Sequence, residues 1–381
     1  MERYLHEALL ADIDRKIILL SGPRQSGKTT LSRMLHPDHQ YINHDLAEHR
    51  LMLREKSWDR RKALFILDEL HKMENWKVWL KGVYDVEGLP PALVVTGSAK
   101  LAAFRKTGDS LAGRYFHFRL HPIDMKEALQ HTDLGPDEAF KRLMHVGGFP
   151  EPFLRGSGPW YNRWKRTHVD AILKDDLLTL SSVRDIQSIE TLIELLRSRV
   201  GTPLSANSLA RDLQKTRNTV QHWLDLLEDL YVIFRVFPYH RNVARALLKT
   251  PKFYFYDNAM VQGDDGAHLE NLVACALLKE LHRAQDVEGE DLGLHYIRDK
   301  EGREIDFLVT RNRKPWRMIE VKWSDAAPSV NFKRFLVGET LHRLQVVGEL
   351  AHDKSYPDGL RIEAAQRFLA DVQLGVTTEN A

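Results

Sequence analysis

The sequence predicts an α/β protein of more than one domain, and three observations support this. Residues 16–120 alternate short apolar runs with helix-like stretches, as in a layered α/β domain. From 137 to about 232 the pattern is almost wholly helical, and strand-like runs return from 231 onward. Because 381 residues exceed one ordinary core, we expect three domains, at 1–155, 156–250 and 251–381.

The composition is that of a globular protein, with 43% hydrophobic and 28% charged residues. The net charge is only +2, so any surface for nucleic acid must be a local patch. A single cysteine, Cys275, excludes an internal disulfide framework. No apolar run approaches the roughly 18 residues that a spanning helix needs, and the N-terminus is charged, so we expect a cytoplasmic protein without membrane contact.

The individual elements follow from runs of apolar residues. In the first domain the predicted strands are 16–20, 40–43, 63–67, 92–96 and 115–120, and helix-like stretches cover 28–35 and 76–83. Farther along, the predicted strands are 232–237, 252–256, 294–297, 304–309 and 317–323. A long helix-like stretch at 266–282 precedes the last three of these strands.

The strongest motif follows the first strand. Ile17-Ile-Leu-Leu20 leads into a glycine-containing loop and then a helical pattern, which is the context of a phosphate-binding P-loop. Its glycines let backbone N–H groups surround a phosphate, while Lys28 reaches the β- and γ-phosphates and Thr29 ligates Mg²⁺. The alternative is a glycine-containing surface turn. The predicted ATP-binding residues are Gly22, Pro23, Arg24, Gln25, Ser26, Gly27, Lys28, Thr29 and Thr30.

A second apolar strand, Leu64-Phe-Ile-Leu67, ends in the adjacent carboxylates Asp68 and Glu69. Acids at the end of a buried strand are costly unless a cation compensates them. Asp68 fits a magnesium ligand, and Glu69 fits the base that polarises the attacking water. Capping of a helix by this pair is the alternative. With the P-loop, the pair predicts a magnesium-dependent ATPase.

Two further residues are candidates for the same chemistry. Ser98 follows another strand and would help to orient water beside the γ-phosphate, although a plain Gly-Ser turn fits equally well. Arg114 is a candidate charge-stabilising arginine, and a surface arginine is the alternative. If Arg114 acts across a subunit boundary, the protein is a homo-oligomer.

The middle of the chain predicts a helix-turn-helix. Apolar residues at 206, 209, 210 and 213 line one helix face, a short turn follows, and Thr216 can cap a second helix. That second helix leaves Arg217, Asn218, Gln221 and His222 facing outward, as a recognition helix would. Any pair of short packed helices gives a similar pattern.

The next stretch, 235–256, contains five basic residues and no acid. The basic residues are Arg235, Arg241, Arg245, Lys249 and Lys252, and the interleaved aromatic residues are Phe237, Tyr239, Phe253, Tyr254 and Phe255. Basic groups neutralise phosphates and aromatic rings stack on bases, so we expect contact with nucleic acid, with Arg241 and Arg245 at phosphates. The alternative is a core strand with solvated flanks.

Two late strands predict a hairpin with paired carboxylates. If the hairpin is symmetric about residue 313, with Pro315 in its turn, Asp306 lies opposite Glu320 and Glu304 opposite Lys322. Facing carboxylates repel, and a divalent metal between them reverses that interaction. Lys322 could then hold the attacking water, with Glu270 as a third carboxylate. The alternative is an exposed hairpin with a Glu304–Lys322 ion pair.

Four motifs make the sequence resemble the bacterial and archaeal ATPases of the AAA-14 type with a DUF4143 C-terminal half. These motifs are the P-loop at Gly22–Thr30, Leu67-Asp-Glu69, Thr96-Gly-Ser98 and Ala112-Gly-Arg-Tyr115. Gly147-Gly-Phe-Pro-Glu151 and Lys252-Phe-Tyr-Phe-Tyr-Asp257 are further landmarks, whereas Asn258-Ala-Met260 replaces the usual Thr-Gly-Leu. The resemblance implies an AAA+-like ATPase core, a winged-helix middle and a restriction-endonuclease-like C-terminal domain. The Asp306, Glu320 and Lys322 pattern likewise resembles PD-(D/E)xK nucleases.

Two functions fit these observations. The first is an ATP-driven enzyme that binds, remodels or cleaves nucleic acid, with DNA as the expected partner and Mg²⁺ or Mn²⁺ at the nuclease-like site. The second is an ATP-gated DNA-binding switch whose nuclease-like domain is catalytically silent.

Overall fold

The computed structural model describes residues 1–97, 111–177, 185–240, 249–324, 327–335 and 341–375. The chain forms two compact units. The first contains residues 1–122 and 229–231, and the second contains 123–228 and 232–381. No helix in these described ranges is both long and apolar enough to cross a membrane.

The first unit is a parallel five-stranded sheet with the strand order β2-β3-β4-β1-β5. Its strands are β1 (Ile17–Ser21), β2 (His39–Asn43), β3 (Leu64–Asp68), β4 (Ala92–Gly97) and β5 (Tyr115–Arg119). Its helices are α1 (His6–Asp12), α2 (Lys28–Met34), α3 (Ala47–Glu55) and α4 (Trp76–Glu87). The three central strands are buried throughout, because apolar clusters cover both faces of the sheet. All five predicted strands are confirmed within about two residues.

The second unit begins with helices α5 (Met125–His131), α6 (Pro136–His145), α7 (Pro150–Arg155) and α8 (Gly158–Ala171). The sequence places residues 123–155 in the ATPase domain, whereas the structure groups them with the second unit. One reason is electrostatic. The buried Lys279 ammonium pairs with Glu127 and, at 3.1 Å, with Asp124, and so holds the start of α5.

Three helices then lead into an antiparallel strand pair. They are α9 (Ile186–Arg197), α10 (Ala206–Leu213) and α11 (Arg217–Asp229), and the strands are β6 (Ile233–Pro238) and β7 (Lys252–Phe255). Thr216 caps α11 as predicted, since its Oγ1 accepts the Thr219 N–H at 3.1 Å. A helix-turn-helix followed by a strand hairpin is the order of elements in a winged helix. The segment 241–248, which joins the two strands, lies outside the described residues.

Strands β6 and β7 also form one edge of a mixed eight-stranded sheet with the order β12-β13-β11-β10-β9-β8-β6-β7. The other strands are β8 (Leu292–Arg298), β9 (Glu304–Arg311), β10 (Lys314–Lys322), β11 (His342–Val347), β12 (Lys354–Ser355) and β13 (Leu360–Ala364). Helices α12 (Asp265–Arg283), α13 (Asn331–Arg334) and α14 (Ala365–Asp371) complete the unit. The predicted mixed α/β class, with a helical middle and a C-terminal sheet, is therefore confirmed.

The β9–β10 hairpin has the predicted register in its central part, where Val309, Leu308 and Phe307 face Arg317, Met318 and Ile319. Its turn is the two-residue loop Asn312-Arg313, with φ values of 50° and 63° that match the twist of the strands. The predicted position of Pro315 in this turn is wrong. Pro315 lies in β10 next to a register shift, where a missing N–H donor is tolerated.

The family landmarks around Gly147 and Asp257 meet in the core of the second unit. Gly147 has φ +73°, and a Cβ there would lie 2.1 Å from Asp257 Oδ1. The Tyr161 hydroxyl donates to Asp257 Oδ2 at 2.8 Å. In the unusual Asn258 turn, the side-chain amide donates to Leu143 O at 3.2 Å and accepts from Asn271. These motifs therefore have a structural role.

Burial raises the pKa of Asp257 to about 6, although the Tyr161 hydrogen bond opposes this shift. The folded protein binds the proton more tightly than the unfolded chain, so the free energy of unfolding falls as the pH rises from about 4 to about 6. We expect Asp257→Asn to remove this loss of about 3 kcal/mol. Urea unfolding of the wild type and Asp257→Asn at several pH values tests this prediction. If the free energy of unfolding depends on pH in the same way for both proteins, the raised pKa of Asp257 is contradicted.

Candidate functional site

The P-loop adopts the backbone conformation that its glycines permit. Gly27 has φ +97° immediately before α2, and Gln25 is also left-handed, with φ +61°. Gly22 approaches Leu120 so closely that a Cβ would lie 2.2 Å from its carbonyl oxygen. The buried Lys28 ammonium donates to Gly22 O at 3.0 Å and to Pro23 O at 2.6 Å. This loop, at the carboxyl end of β1, fits the binding of a nucleotide phosphate chain.

Asp68 accepts three hydroxyl hydrogen bonds at the carboxyl edge of the sheet. Thr29 Oγ1 donates to Oδ2 at 3.1 Å, Tyr41 OH donates to Oδ2 at 2.6 Å, and Thr96 Oγ1 donates to Oδ1 at 2.5 Å. These bonds orient the Asp68 carboxylate next to Thr29, so the two residues fit a magnesium site. Burial, followed by the hydrogen bond to Asp68, raises the pKa of Tyr41 to about 12.

Sequence reasoning missed Tyr41 and Thr96. The signal was present in the strand pattern, because both residues lie in the strands that flank β3. In the sheet register Asp68 pairs with Thr96 of β4 and with Asn43 of β2, two residues beyond Tyr41. Strand order was not predicted, so these neighbours of Asp68 could not be identified.

Glu69 lies directly after β3, with a left-handed φ of 57°. Its carboxylate is 3.2 Å from Lys72 Nζ and 3.5 Å from His71 Nε2. Burial raises the pKa of Glu69, and the charge of Lys72 partly opposes the shift. A carboxylate with a raised pKa is a better proton acceptor, which is consistent with the role predicted for Glu69.

Of two further predicted residues, Arg114 lies away from the P-loop of its own chain. Ser98 lies outside the described residues. Arg114 lies at the amino end of β5, where its carbonyl accepts the Ile17 N–H at 3.0 Å, whereas the P-loop follows the carboxyl end of β1. Four strand residues separate these edges by about 13 Å. Arg114 instead forms two contacts with Asp85, at 2.7 and 3.0 Å, and does not reach the P-loop of its own chain.

The predicted carboxylates meet in the second unit around an unexpected cation. Lys252 is fully buried, and its ammonium lies 3.1 Å from Glu304, 3.3 Å from Glu270 and 3.5 Å from Asp306. Tyr254 OH also donates to Glu270, at 2.7 Å. Lys252, Glu270, Glu304, Asp306 and Glu320 are called the carboxylate cluster below.

Glu320 lies at the other end of this cluster, 97% buried. Its Oε1 contacts Lys322 Nζ at 3.0 Å and accepts from Ser329 Oγ at 3.3 Å, while its Oε2 is buried without a hydrogen bond among the described residues. Glu304 pairs with Lys252 and with Arg298 at 2.9 Å. The alternative of an exposed hairpin with a Glu304–Lys322 pair is therefore wrong.

Burial and the nearby Asp306 charge raise the pKa of both Glu270 and Glu320. Burial lowers the pKa of Lys252, but Glu270, Asp306 and Glu304 raise it by more. Asp306 Oδ2 accepts the Val321 N–H at 2.9 Å. Across the described ranges, Glu270, Asp306 and Glu320 do not form a group whose ligand atoms all lie within 4.8 Å of one another. In this arrangement the ammonium group of Lys252 balances the negative charge of the cluster, and the three carboxylates do not converge as metal ligands would.

The basic stretch differs from its predicted role at several positions. Lys252 is inside the carboxylate cluster, and Arg235 is paired with Glu228 and, at 2.8 Å, with Asp225. The aromatic residues at 253–255 are core residues and cannot stack on bases. Arg241 and Arg245 lie outside the described residues. On α11, Arg217, Asn218 and His222 are exposed, while the half-buried Gln221 donates to Asp225 at 3.0 Å.

Comparison with known families divides the chain into three regions. Residues 14–129 match an AAA domain, 137–264 match the domain of unknown function DUF8612, and 265–356 match the domain of unknown function DUF4143.

Several uncharacterized proteins are similar over most of this chain. One from Mycobacterium tuberculosis is 25% identical and covers 91% of this chain and 78% of its own length. One from Haemophilus influenzae is 22% identical, and the match covers 81% of this chain and 83% of the relative. One from Methanocaldococcus jannaschii is 25% identical, and the match covers 79% of this chain and 74% of the relative.

Two solved structures are similar to parts of the chain. A single-residue variant of Thermotoga maritima RuvB has 19% identity and a TM-score of 0.32, covering 61% of this chain and 87% of its own. A STAND protein from Pyrococcus horikoshii has 12% identity and a TM-score of 0.23, and the match covers 76% of this chain and 48% of the STAND protein.

Proposed function

We propose that this chain, which joins an AAA-type P-loop ATPase domain to a DUF4143 region, is an ATP-gated DNA-binding switch. The observation that carries this choice is Lys252, which is fully buried and lies within 3.5 Å of three carboxylates. Divalent ions at a nuclease site need those oxygens, and here an internal ammonium already balances their charge. The nuclease-like domain is then silent while Lys252 remains in place.

In the ATPase domain, Lys28 and the backbone N–H groups of the P-loop would hold the phosphates, and Thr29 with Asp68 would hold Mg²⁺. Magnesium would neutralise charge that develops on the phosphates during hydrolysis. Tyr41 and Thr96 orient Asp68 through their hydroxyl groups. Glu69 would position and polarise the attacking water.

The proposed DNA surface is the start of α11, where Arg217 and Asn218 are exposed. A recognition helix fits the wide major groove of B-form DNA, whereas the corresponding groove of RNA is too narrow. We therefore favour DNA as the partner. Arg241 and Arg245 remain proposed phosphate contacts.

The chain runs directly from the proposed DNA surface to the ATP site, and this connection supports control of DNA binding by ATP. The last residue of α11, Asp229, and the turn 230–231 that follows it belong to the first unit. There Tyr231 OH and Ser21 Oγ are 2.9 Å apart, and Ser21 is the last residue before the P-loop glycine. Tyr231 also has a left-handed φ of 57°, a conformation that bulky residues adopt only when their surroundings hold it.

If Arg114 contributes to hydrolysis, it must act on the P-loop of a neighbouring subunit, so we also propose a homo-oligomer. Sedimentation of the protein with ATP tests this arrangement. A species that stays monomeric at full ATPase activity would remove Arg114 from the mechanism.

Metal-dependent DNA cleavage is a second candidate function. Glu320 Oε2 is buried without a hydrogen bond among the described residues, and Lys322 lies 3.0 Å from the other oxygen, as a PD-(D/E)xK site requires. Mg²⁺ or Mn²⁺ binding would require Lys252 to leave the cluster, followed by convergence of Glu270, Asp306 and Glu320.

The DNA surface is tested through salt dependence. Arg217→Ala should flatten the slope of log K against log salt by about one unit, because one phosphate contact is lost. Fluorescence anisotropy with a labelled duplex measures this slope. Arg155→Ala is the matched control, since Arg155 is also exposed but lies on α7. Equal slopes for Arg217→Ala and wild type would exclude α11 as the contact surface.

A further inference from the structure

The C-terminal sheet contains a cavity of about 450 Å³ that none of the functions above uses. It lies where β10, β11 and β13 begin, with Arg317 next to His342 in the register, and α14 lines another side. Arg317 precedes Glu320 by three strand residues, about 10 Å, and points to the opposite face of the sheet. The cavity is therefore separate from the carboxylate cluster, and its volume is that of a small-molecule pocket.

The wall of this cavity is strongly cationic. Five arginines line it, against the two acids Glu363 and Asp371. Three of the arginines form close ion pairs: Arg361 with Glu363, Arg343 with Asp358 at 3.2 Å, and Arg367 with Asp353. The remaining two, Arg311 and Arg317, form no such close ion pair among the described residues.

Arg317 forms no ion pair within the described part of the chain, and its one hydrogen bond there is to Gln373 O at 3.4 Å. Arg311 donates to Leu374 O at 2.7 Å and to Gly375 O at 3.2 Å. Its Nε is buried without a hydrogen-bond acceptor among the described residues, and Glu290 Oε2 is 3.8 Å from this atom. Their guanidinium carbons lie 4.6 and 4.2 Å from the centre of the Trp316 ring, which holds both groups in place. Two ordered guanidinium groups thus retain donors for an anion.

The arrangement is electrostatically unfavourable without an anion. Burial lowers the pKa of Arg317, and the charges of Arg361 and Arg311 add to this effect while Glu363 offsets part of it. Neighbouring cations also lower the pKa of His342, after the larger effect of burial. Folding has therefore brought like charges together in a cavity, and such a cost is met when a ligand supplies negative charge.

We propose that this pocket binds the phosphate groups of a small polyphosphorylated ligand. Planar guanidinium groups bind phosphate oxygens in a bidentate manner, and two such groups side by side suit adjacent phosphates. A walled cavity, rather than an extended groove, favours a small ligand over the backbone of a nucleic acid. The phosphates could belong to a nucleotide or to free polyphosphate, and the experiment below separates these sources.

The test is calorimetric titration of the full chain carrying Lys28→Ala, which disables the P-loop, with inorganic triphosphate and with ATP. We expect one saturable site for triphosphate at low salt. Adding Arg317→Met should weaken it about 10- to 100-fold, as loss of a charge-assisted contact does. Arg313→Met is the matched control, because its side chain is 83% exposed and outside the cavity, and it should leave the affinity unchanged. Arg361→Met, at a position that is 66% exposed, provides a second variant that should fold normally and also weaken binding.

Tighter binding of ATP than of triphosphate would identify a nucleotide, and equal binding would identify the phosphate chain alone; either supports the site. The proposal is overturned if neither ligand binds the Lys28→Ala protein, or if Arg317→Met and Arg361→Met bind as tightly as their parent. It is also overturned if these arginines affect only the affinity for DNA, because the surface then contacts a nucleic-acid backbone. None of these outcomes depends on whether ATP gates DNA binding at α11.

Discussion

Glu69→Gln should bind ATP with nearly unchanged affinity and hydrolyse it about 100- to 10,000-fold more slowly. Loss of a positioned base accounts for a reduction of that order, while Asp68 and Thr29 remain to hold magnesium. The Glu69 carboxylate has the raised pKa that suits proton transfer, mainly through burial. Single-turnover hydrolysis together with a nucleotide-binding titration separates the two effects.

Lys28→Ala is the matched comparison for Glu69→Gln. It should lose tight ATP binding itself, since each charge-assisted contact to a phosphate contributes about 1.5–3 kcal/mol. Comparable turnover in Glu69→Gln and wild type would remove Glu69 from the mechanism. Tight ATP binding by Lys28→Ala would instead place the nucleotide outside the P-loop.

Lys252→Met should destabilise the protein by about 3–5 kcal/mol in the absence of divalent metal. The substitution leaves Glu270, Glu304 and Asp306 in a buried cluster without their central cation. Mg²⁺ or Mn²⁺ should then raise the unfolding temperature of Lys252→Met far more than that of wild type, because a metal replaces the missing charge. Thermal unfolding with and without metal measures both effects.

The double variant Lys252→Met, Glu270→Gln is the control for this experiment. It removes one charge of each sign, so its stability should recover part of the loss. If wild type cleaves DNA with Mn²⁺ and Asp306→Asn abolishes the cleavage, Lys252 does not silence the domain and the nuclease function replaces the switch. Equal metal responses of Lys252→Met and wild type would show that the cluster is not a latent cation site.

The elements of the fold follow closely from sequence pattern, because each signal is local. The P-loop glycines, the apolar strand before Asp68 and the helix cap at Thr216 depend only on neighbours within a few residues. The register of the β9–β10 hairpin was also predictable, since two strands joined by a short turn have few alternative pairings.

What the sequence did not predict depends on contacts between distant segments. Lys252 was assigned to a basic stretch that contacts nucleic acid, because its three carboxylate partners lie 18 to 54 residues farther along the chain and could not be identified. Arg114 was proposed as a charge-stabilising arginine from its motif alone, and the motif could not show that the parallel register of β1 and β5 puts it at the edge of the sheet opposite its own P-loop. Tyr41 and Thr96 escaped notice because strand order is a property of the folded sheet.

The most direct test of ATP gating is the DNA affinity of full-length Glu69→Gln with ATP compared with ADP. If the protein is a switch, we expect the two dissociation constants to differ by about tenfold, within the usual range of coupling between two sites. DNA should then change the affinity for ATP relative to ADP by the same factor, as linkage requires. Equal DNA affinities in the two nucleotide states, at salt concentrations where binding is measurable, would show that ATP does not gate DNA binding.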